Sequence, residues 1–286
     1  MPCGFQGHSL YLRPKTLDDA VSLLAAADSQ LLAGGTDFYP ALGERLPSGR
    51  VIDITAVPEL RGISVAPGQV RIGGATTWTA LIRTPLPRCF DALKAAAREI
   101  GSVQIQNRGT VAGNLCNASP AADGVPPLLA LNAEVELISY AGTRRMPLSQ
   151  FLVGNRKTAR RPGEILTAIL IPRELENAAS VFLKLGARKY LVISISMVAA
   201  IMQLDSSRRV AEARVGVGSC SATAQRLSGL ERELTGVDAS HVGRVVQARH
   251  LQPLAPIDDV RATAVYRYDA SLTLVRRALE ACVASH

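Results

Sequence analysis

Apolar residues first recur at helical spacing at Leu17, Val21, Leu24 and Ala25, positions that share one face of a 3.6-residue helix. Thr16-Leu-Asp-Asp19 stands in front of them as a capping box, so a helix is predicted from there through Asp28. Gln30 to Ala33 is a short apolar run that reads as a buried strand. It ends at Gly34-Gly35-Thr36-Asp37, where a second helix can start. Val51 to Ile54 is the next strand. Ile63–Val65 and Val70–Ile72 flank Ala-Pro-Gly-Gln, which is turn chemistry, and a hairpin follows. Thr76 or Thr77 then caps a short helix through Ile82. Residues 87–100 form a stronger amphipathic helix, with Phe90, Leu93, Ala97 and Ile100 on one side.

Gly101 to Asp123 shows neither period and reads as a Gly-rich loop. A short helix over Pro127–Asn132, a strand over Glu134–Ser139 and another over Glu164–Ile171 come next. The polar stretch Pro172–Asn177 breaks the pattern and marks a domain boundary. Strand-like runs at 180–188, 193–204 and 209–217 precede helical patterns at 222–234, 238–248 and 267–284. Three strands followed by helices predict a compact α+β unit with an antiparallel sheet.

Composition narrows the class. A chain of 286 residues that is 48% apolar and 20% charged has material for about two globular domains. Aromatics are only 4%, so the core is expected to be aliphatic. The net charge of +8 is spread along the chain with no basic tail, which argues against nucleic acid. An anionic cofactor or an acidic partner accounts for it. Residues 156–161, Arg-Lys-Thr-Ala-Arg-Arg, are the one basic run; they read as a solvated face or as a dock for an acidic partner. Five cysteines and four histidines show no metal-type spacing, so neither a disulfide framework nor a metal centre is expected. Cys116 reads as a small buried residue. Met1–Leu10 does not have the make-up of a signal peptide, and the uncharged run Leu191–Leu204 is too short to span a bilayer. The expectation is a reduced, cytoplasmic protein that engages no membrane.

Three glycine clusters carry the chemistry: Ala33-Gly-Gly-Thr-Asp37, Ile72-Gly-Gly-Ala-Thr-Thr77 and Gly109-Thr-Val-Ala-Gly-Asn114. Alone, a Gly-Gly pair makes a turn. Three such clusters within one half of the chain, each beside a threonine, present backbone N–H groups and hydroxyls that can cradle a pyrophosphate without a lysine. None is a G-x-x-x-x-G-K-[ST] loop or a well-placed G-x-G-x-x-G, so P-loop hydrolysis and a Rossmann site are disfavoured. Asp123, just past the third cluster, can accept hydrogen bonds from ribose hydroxyls or a ring N–H, or is a plain turn residue.

Ala-Gly-Gly-Thr-Asp, Ile-Gly-Gly-Ala-Thr-Thr and above all Asn-Arg-Gly-Thr-Val-Ala-Gly-Asn-Leu-Cys-Asn-Ala-Ser-Pro-Ala-Ala-Asp resemble the FAD-binding medium subunits of the xanthine dehydrogenase and carbon monoxide dehydrogenase family. The resemblance spans nearly the whole chain. It implies a two-part FAD-binding domain of the vanillyl-alcohol-oxidase type over residues 1–175, split near 55–60. A smaller α+β C-terminal domain over 178–286, with a three-stranded antiparallel sheet and helices, would follow. It implies FAD contacts from Leu32, Ala33, Gly34, Gly35, Thr36, Asp37, Gly109, Thr110, Gly113 and Asn114, with Thr76 and Thr77 in support. Ser119, Asp123, Leu166 and Lys184 would add contacts nearer the flavin. Ala112 replaces a frequent family glycine. The loop Ala187–Ser194 lacks the acidic residue many members carry and has Tyr190 instead, which would cover the ring or fill core. The implied function is electron relay within a molybdenum hydroxylase. A large molybdopterin subunit would oxidise substrate and a small [2Fe-2S] subunit would pass electrons to FAD, with NAD among the acceptors. The rival readings are a self-sufficient FAD-dependent oxidoreductase and a scaffold that has lost FAD.

Overall fold

The computed structural model describes residues 10–286; the expectations for Met1–Ser9, with Cys3 and His8, fall outside the described residues. β1 (Leu10–Leu12), α1 (Leu17–Leu24), β2 (Ser29–Leu32), α2 (Phe38–Leu42) and β3 (Arg50–Asp53) form the first unit. Its three strands are parallel in the order β1-β3-β2. Thr16 caps α1 by accepting from the Asp19 N–H at 3.1 Å. The helix stops at Leu24 rather than Asp28, because residues 25–28 turn and Asp28 adopts φ +55.

The second unit begins with the hairpin β4 (Ile63–Ala66) and β5 (Gln69–Gly73). It continues through α3 (Trp78–Arg83), α4 (Asp91–Glu99), α5 (Val103–Arg108), α6 (Val111–Asn117) and α7 (Val125–Ala130). β6 (Glu134–Ser139), β7 (Gly142–Pro147), α8 (Leu148–Phe151), the small pair β8 (Leu152–Gly154) and β9 (Lys157–Thr158), and β10 (Ile165–Pro172) complete it. The sheet order is β4-β5-β10-β6-β7, antiparallel throughout. Central β10 is buried along Ile165–Ile171, an apolar run interrupted by Thr167 alone, whose hydroxyl donates to the Glu136 carbonyl. Two readings are corrected here. The stretch from Gly101 contains α5 and α6 rather than one loop. At six and seven residues they show less than two turns of period, and burial of Val111, Ala112 and Leu115 holds α6 in place. β7 carried no apolar signature because it is an edge strand whose Arg144 and Arg145 pair with Glu164 and Glu136.

The C-terminal unit contains β11 (Ala179–Leu185), β12 (Ser196–Leu204), β13 (Val210–Gly218) and the two-residue β14 (Gln225–Arg226). α9 (Ser228–Leu234), α10 (Val242–Val245) and the long α11 (Ala264–Ala284) follow. The antiparallel sheet runs β11-β12-β13-β14, so β14 extends the expected three strands by a short edge. One face packs Val198, Ala200 and Val215 against α9 and α11 through Leu230, Val275 and Leu279. The other packs Phe182, Met197 and Ala199 on Ala92 and Ala96 of α4. Ser180 ties β11 to the second unit by accepting from the Ala92 N–H and donating to the Arg88 carbonyl, both at 3.0 Å. No helix among the described residues is long and apolar enough to cross a membrane.

Candidate functional site

The three glycine clusters converge. Thr77 and Thr110 form an antiparallel bridge, with the Trp78 N–H donating to Gly109 O at 3.1 Å and the Val111 N–H to Thr76 O at 3.0 Å. The turn 33–37 lies against the same segment. A Cβ on Gly34 would stand 2.1 Å from the Arg108 carbonyl oxygen, so only glycine permits this approach. Gly35 adopts φ +76, the left-handed conformation that aims successive N–H groups one way.

These turns form one wall of a groove of about 1380 Å³, larger than the roughly 300–1,000 Å³ of ordinary small-molecule pockets. Of the residues expected at the site, Ala33, Gly34, Gly35, Thr36, Asp37, Gly109, Thr110, Gly113, Asn114 and Leu166 line it. The backbone N–H groups of Gly34, Gly35, Thr36 and Asp37 find no backbone acceptor among the described residues, nor do those of Thr110 and Ala112. Asn114 Oδ1 is buried without a hydrogen-bond partner. Buried polar groups are rarely left so; the wall offers its run of N–H donors to a polar ligand. Trp78, Ile100, Ile105 and Leu166 supply an apolar surface in the same groove, suited to a planar ring.

The other expected residues stand outside this lining. Leu32 is in the core. Thr76 is buried and donates to the Gly62 carbonyl at 2.9 Å. Thr77 caps α3 by accepting from the Ala80 N–H. Ser119 accepts from the Ala121 N–H. Asp123 and Lys184 are both buried and meet each other, Nζ to Oδ2, at 2.7 Å. Ser194 donates to Asp123 Oδ1 at 2.5 Å, and Lys184 also donates to the Glu99 carbonyl at 3.4 Å. Burial pushes the Asp123 carboxyl above its usual range, opposed by the Lys184 ammonium and the Ser194 hydroxyl. The Lys184 charge is thus spent on Asp123 rather than presented free to the groove. A second cavity of about 470 Å³ lies against Lys184, lined also by Glu99, Phe182, Arg188 and Lys189. Tyr190 is 66% exposed, with Lys189 Nζ over its ring, so it fills no core.

Sequence reading missed Arg156, Thr158 and Arg160, which line the same groove as the glycine turns. The signal present in the sequence was the charge of the run 156–161; β9 covers just Lys157–Thr158, so no strand alternation places Arg156 and Arg160. Cys116 was also misread, since it is exposed and on the groove wall. Cys89, Cys220 and Cys282 are buried, and burial pushes the Cys89 and Cys282 thiols up to about 12. Among the described residues no three His, Cys, Asp or Glu side chains gather as a metal site.

Known proteins share this chain's pattern. The model of the FAD binding domain in molybdopterin dehydrogenase matches residues 4–174. That of the CO dehydrogenase flavoprotein C-terminal domain matches residues 182–282. The sequence is 34% identical over 281 residues to the xanthine dehydrogenase FAD-binding subunit of Escherichia coli O157:H7, covering 96% of each chain. It is 30% identical over 278 residues to the carbon monoxide dehydrogenase medium chain of Hydrogenophaga pseudoflava, covering 95% of this chain and 96% of that one. A chain of the reconstituted CO dehydrogenase from Oligotropha carboxidovorans superposes with a TM-score of 0.88 at 29% identity, over 97% of this chain and 98% of that one.

Proposed function

The chain belongs to the FAD-binding medium subunits of the xanthine and carbon monoxide dehydrogenase family, and from that premise we propose that it is the electron relay of a molybdenum hydroxylase complex. FAD is its cofactor. In this reading a [2Fe-2S] partner subunit delivers electrons, a molybdopterin subunit oxidises the substrate, and NAD or another acceptor takes the electrons away. FAD exchanges electrons singly or in pairs, which is the chemistry a relay between clusters and a two-electron acceptor requires.

The residues present fit that cofactor. The observation that carries the reading is the run of backbone N–H groups from Gly34 to Asp37, which lack backbone acceptors and line a groove of dinucleotide size. Gly34–Asp37, Gly109, Thr110 and Gly113 would hold the diphosphate and ribityl chain. Asn114 would accept from a ligand N–H or hydroxyl. Trp78, Ile100, Ile105 and Leu166 would exclude water from the ring. Asp123, Lys184 and Ser194 fix the segment 186–194 beside the second unit through the pair at 2.7 Å. We assign them to positioning that segment, together with the exposed Tyr190, at the flavin end. We place the domain division at 172–177, a reading supported by the separate sheets and the two matched spans.

The test is anaerobic. The FAD-loaded chain, mixed with its reduced [2Fe-2S] partner subunit, should take up electrons and return them to NAD. Reduction of the flavin by a small organic substrate, with no partner present, would instead support a self-sufficient oxidoreductase.

A further inference from the structure

The basic stretch 156–161 is the one sequence motif the electron-relay reading leaves unused. Arg156, Thr158 and Arg160 line the groove. Arg156 is held there by its N–H donating to the Ala118 carbonyl at 2.9 Å and by its guanidinium donating to Asn117 Oδ1. Both acceptors lie at the C-terminal end of α6, next to the glycine turn. Arg156 occupies φ +56, a left-handed conformation that favours glycine or asparagine. Arg160 donates to the Glu164 carbonyl at 2.8 Å, which leaves the rest of its guanidinium free.

The groove's ionisable lining makes these two cations matter. Its acidic residues are Asp28 and Asp37, and its only Lys or Arg side chains are Arg156 and Arg160. Without them a dianionic diphosphate would enter a groove already carrying two carboxylates. With them the lining is formally neutral. Lys157, between them on β9, carries the same charge but does not line the groove.

We propose that Arg156 and Arg160 are binding residues for the phosphates of FAD, the cations that balance the groove's carboxylates, rather than a dock for an acidic partner. The inference rests on the reading of this groove as the FAD site. Arg-to-phosphate pairing is charge-assisted and sensitive to salt.

The experiment is a titration of FAD into the FAD-stripped full chain, at low and high salt, followed by flavin fluorescence. The R156Q/R160Q variant should bind FAD about tenfold more weakly at low salt, the size expected for two exposed charge pairs. It should also lose most of the wild-type salt dependence. R156K/R160K should recover much of the affinity, and K157Q should match wild type. Riboflavin, which has no phosphate, should bind wild type and R156Q/R160Q alike; an equal loss for riboflavin would show a structural effect and overturn the assignment. An R156Q/R160Q variant that binds FAD as wild type does, or a K157Q variant equally weakened, would overturn it too, while wild-type binding left the function reading intact. Failure of the wild-type chain to bind FAD at all would overturn both.

Discussion

Replacing Gly34 by alanine should separate the two glycine turns and disable cofactor binding without unfolding the chain. The added Cβ would sit 2.1 Å from the Arg108 carbonyl oxygen, 2.7 Å from its carbon and 2.8 Å from the Gly109 Cα, where ordinary contact begins near 3.4 Å. All three atoms are backbone, so no rotamer change relieves the clash. The turns must part by about 1.3 Å. Overpacking of this kind costs about 1–3 kcal/mol, within the stability of a typical domain. The consequence for the ligand is larger. A hydrogen bond of about 2.9 Å stretched by more than 1 Å is lost, and each bond to a charged acceptor contributes about 1.5–3 kcal/mol. If one or two of the donors at Gly34–Asp37 are misplaced, FAD affinity should fall about a hundredfold. The assay is FAD titration of the stripped protein beside a far-UV circular dichroism melt. Unchanged affinity in a protein of unchanged melting temperature would refute the argument that the turns hold the cofactor together.

Four further outcomes follow from the same structure. Gly229→Ala, in α9 with nothing within 4 Å of the added methyl, should raise stability in urea by about 0.5–1 kcal/mol and leave FAD affinity alone. Lys184→Met should cost about 3–5 kcal/mol by stranding the buried Asp123, and D123N/K184M should recover part of it. The pH dependence has a defined sign. Asp123 is already raised in the folded protein, so its contribution to stability falls as pH rises from the unfolded value toward the folded one. Removing Lys184 should widen that window upward, making K184M less stable at pH 8 than at pH 5, which denaturation at the two pH values measures. Asp259 is the opposite case. The Arg261 N–H, then the Arg267 and Arg261 guanidiniums, hold its carboxyl at about 2. The stability it contributes is present above pH 3.8 and is lost as pH falls toward 2; the group is exposed, so solvent screening reduces the cost of Asp259→Asn at neutral pH to about 1 kcal/mol or less. Finally, maleimide at alkaline pH should label Cys116 in the stripped protein, desolvation having pushed its thiol up to about 11, and FAD should block it, because that thiol is on the groove wall. A Cys3→Ser background isolates the effect, and labelling unaffected by FAD would count against the groove.

The sequence made legible those parts whose signal is local. The Thr16 cap, the hairpin around Ala-Pro-Gly-Gln, the buried β10 run and the three strands of the C-terminal sheet each follow from a few neighbouring residues. The glycine clusters stood out because Gly, Thr and Asn were concentrated where apolar sequence lies on both sides, and the first and third of them line the groove. What was not legible depends on distant contacts. α5 and α6 are too short to show a period and are set by packing. Thr76 and Thr77 look like ligand donors beside a Gly-Gly pair, yet their hydroxyls serve the Gly62 carbonyl and the start of α3. That Lys184 meets Asp123 across 61 residues cannot be read from either neighbourhood. The arginines at 156 and 160 were visible as charge, but their placement in the groove follows from the tie between β9 and α6.

The most direct test of the central claim is a calorimetric titration of the stripped wild-type chain with FAD. The account predicts saturation at one FAD per chain, with a flavin spectrum that persists through gel filtration and affinity that weakens in Gly34→Ala. A chain that stays colourless after incubation with FAD, or that binds it with the same affinity when Gly34 is replaced, would contradict it.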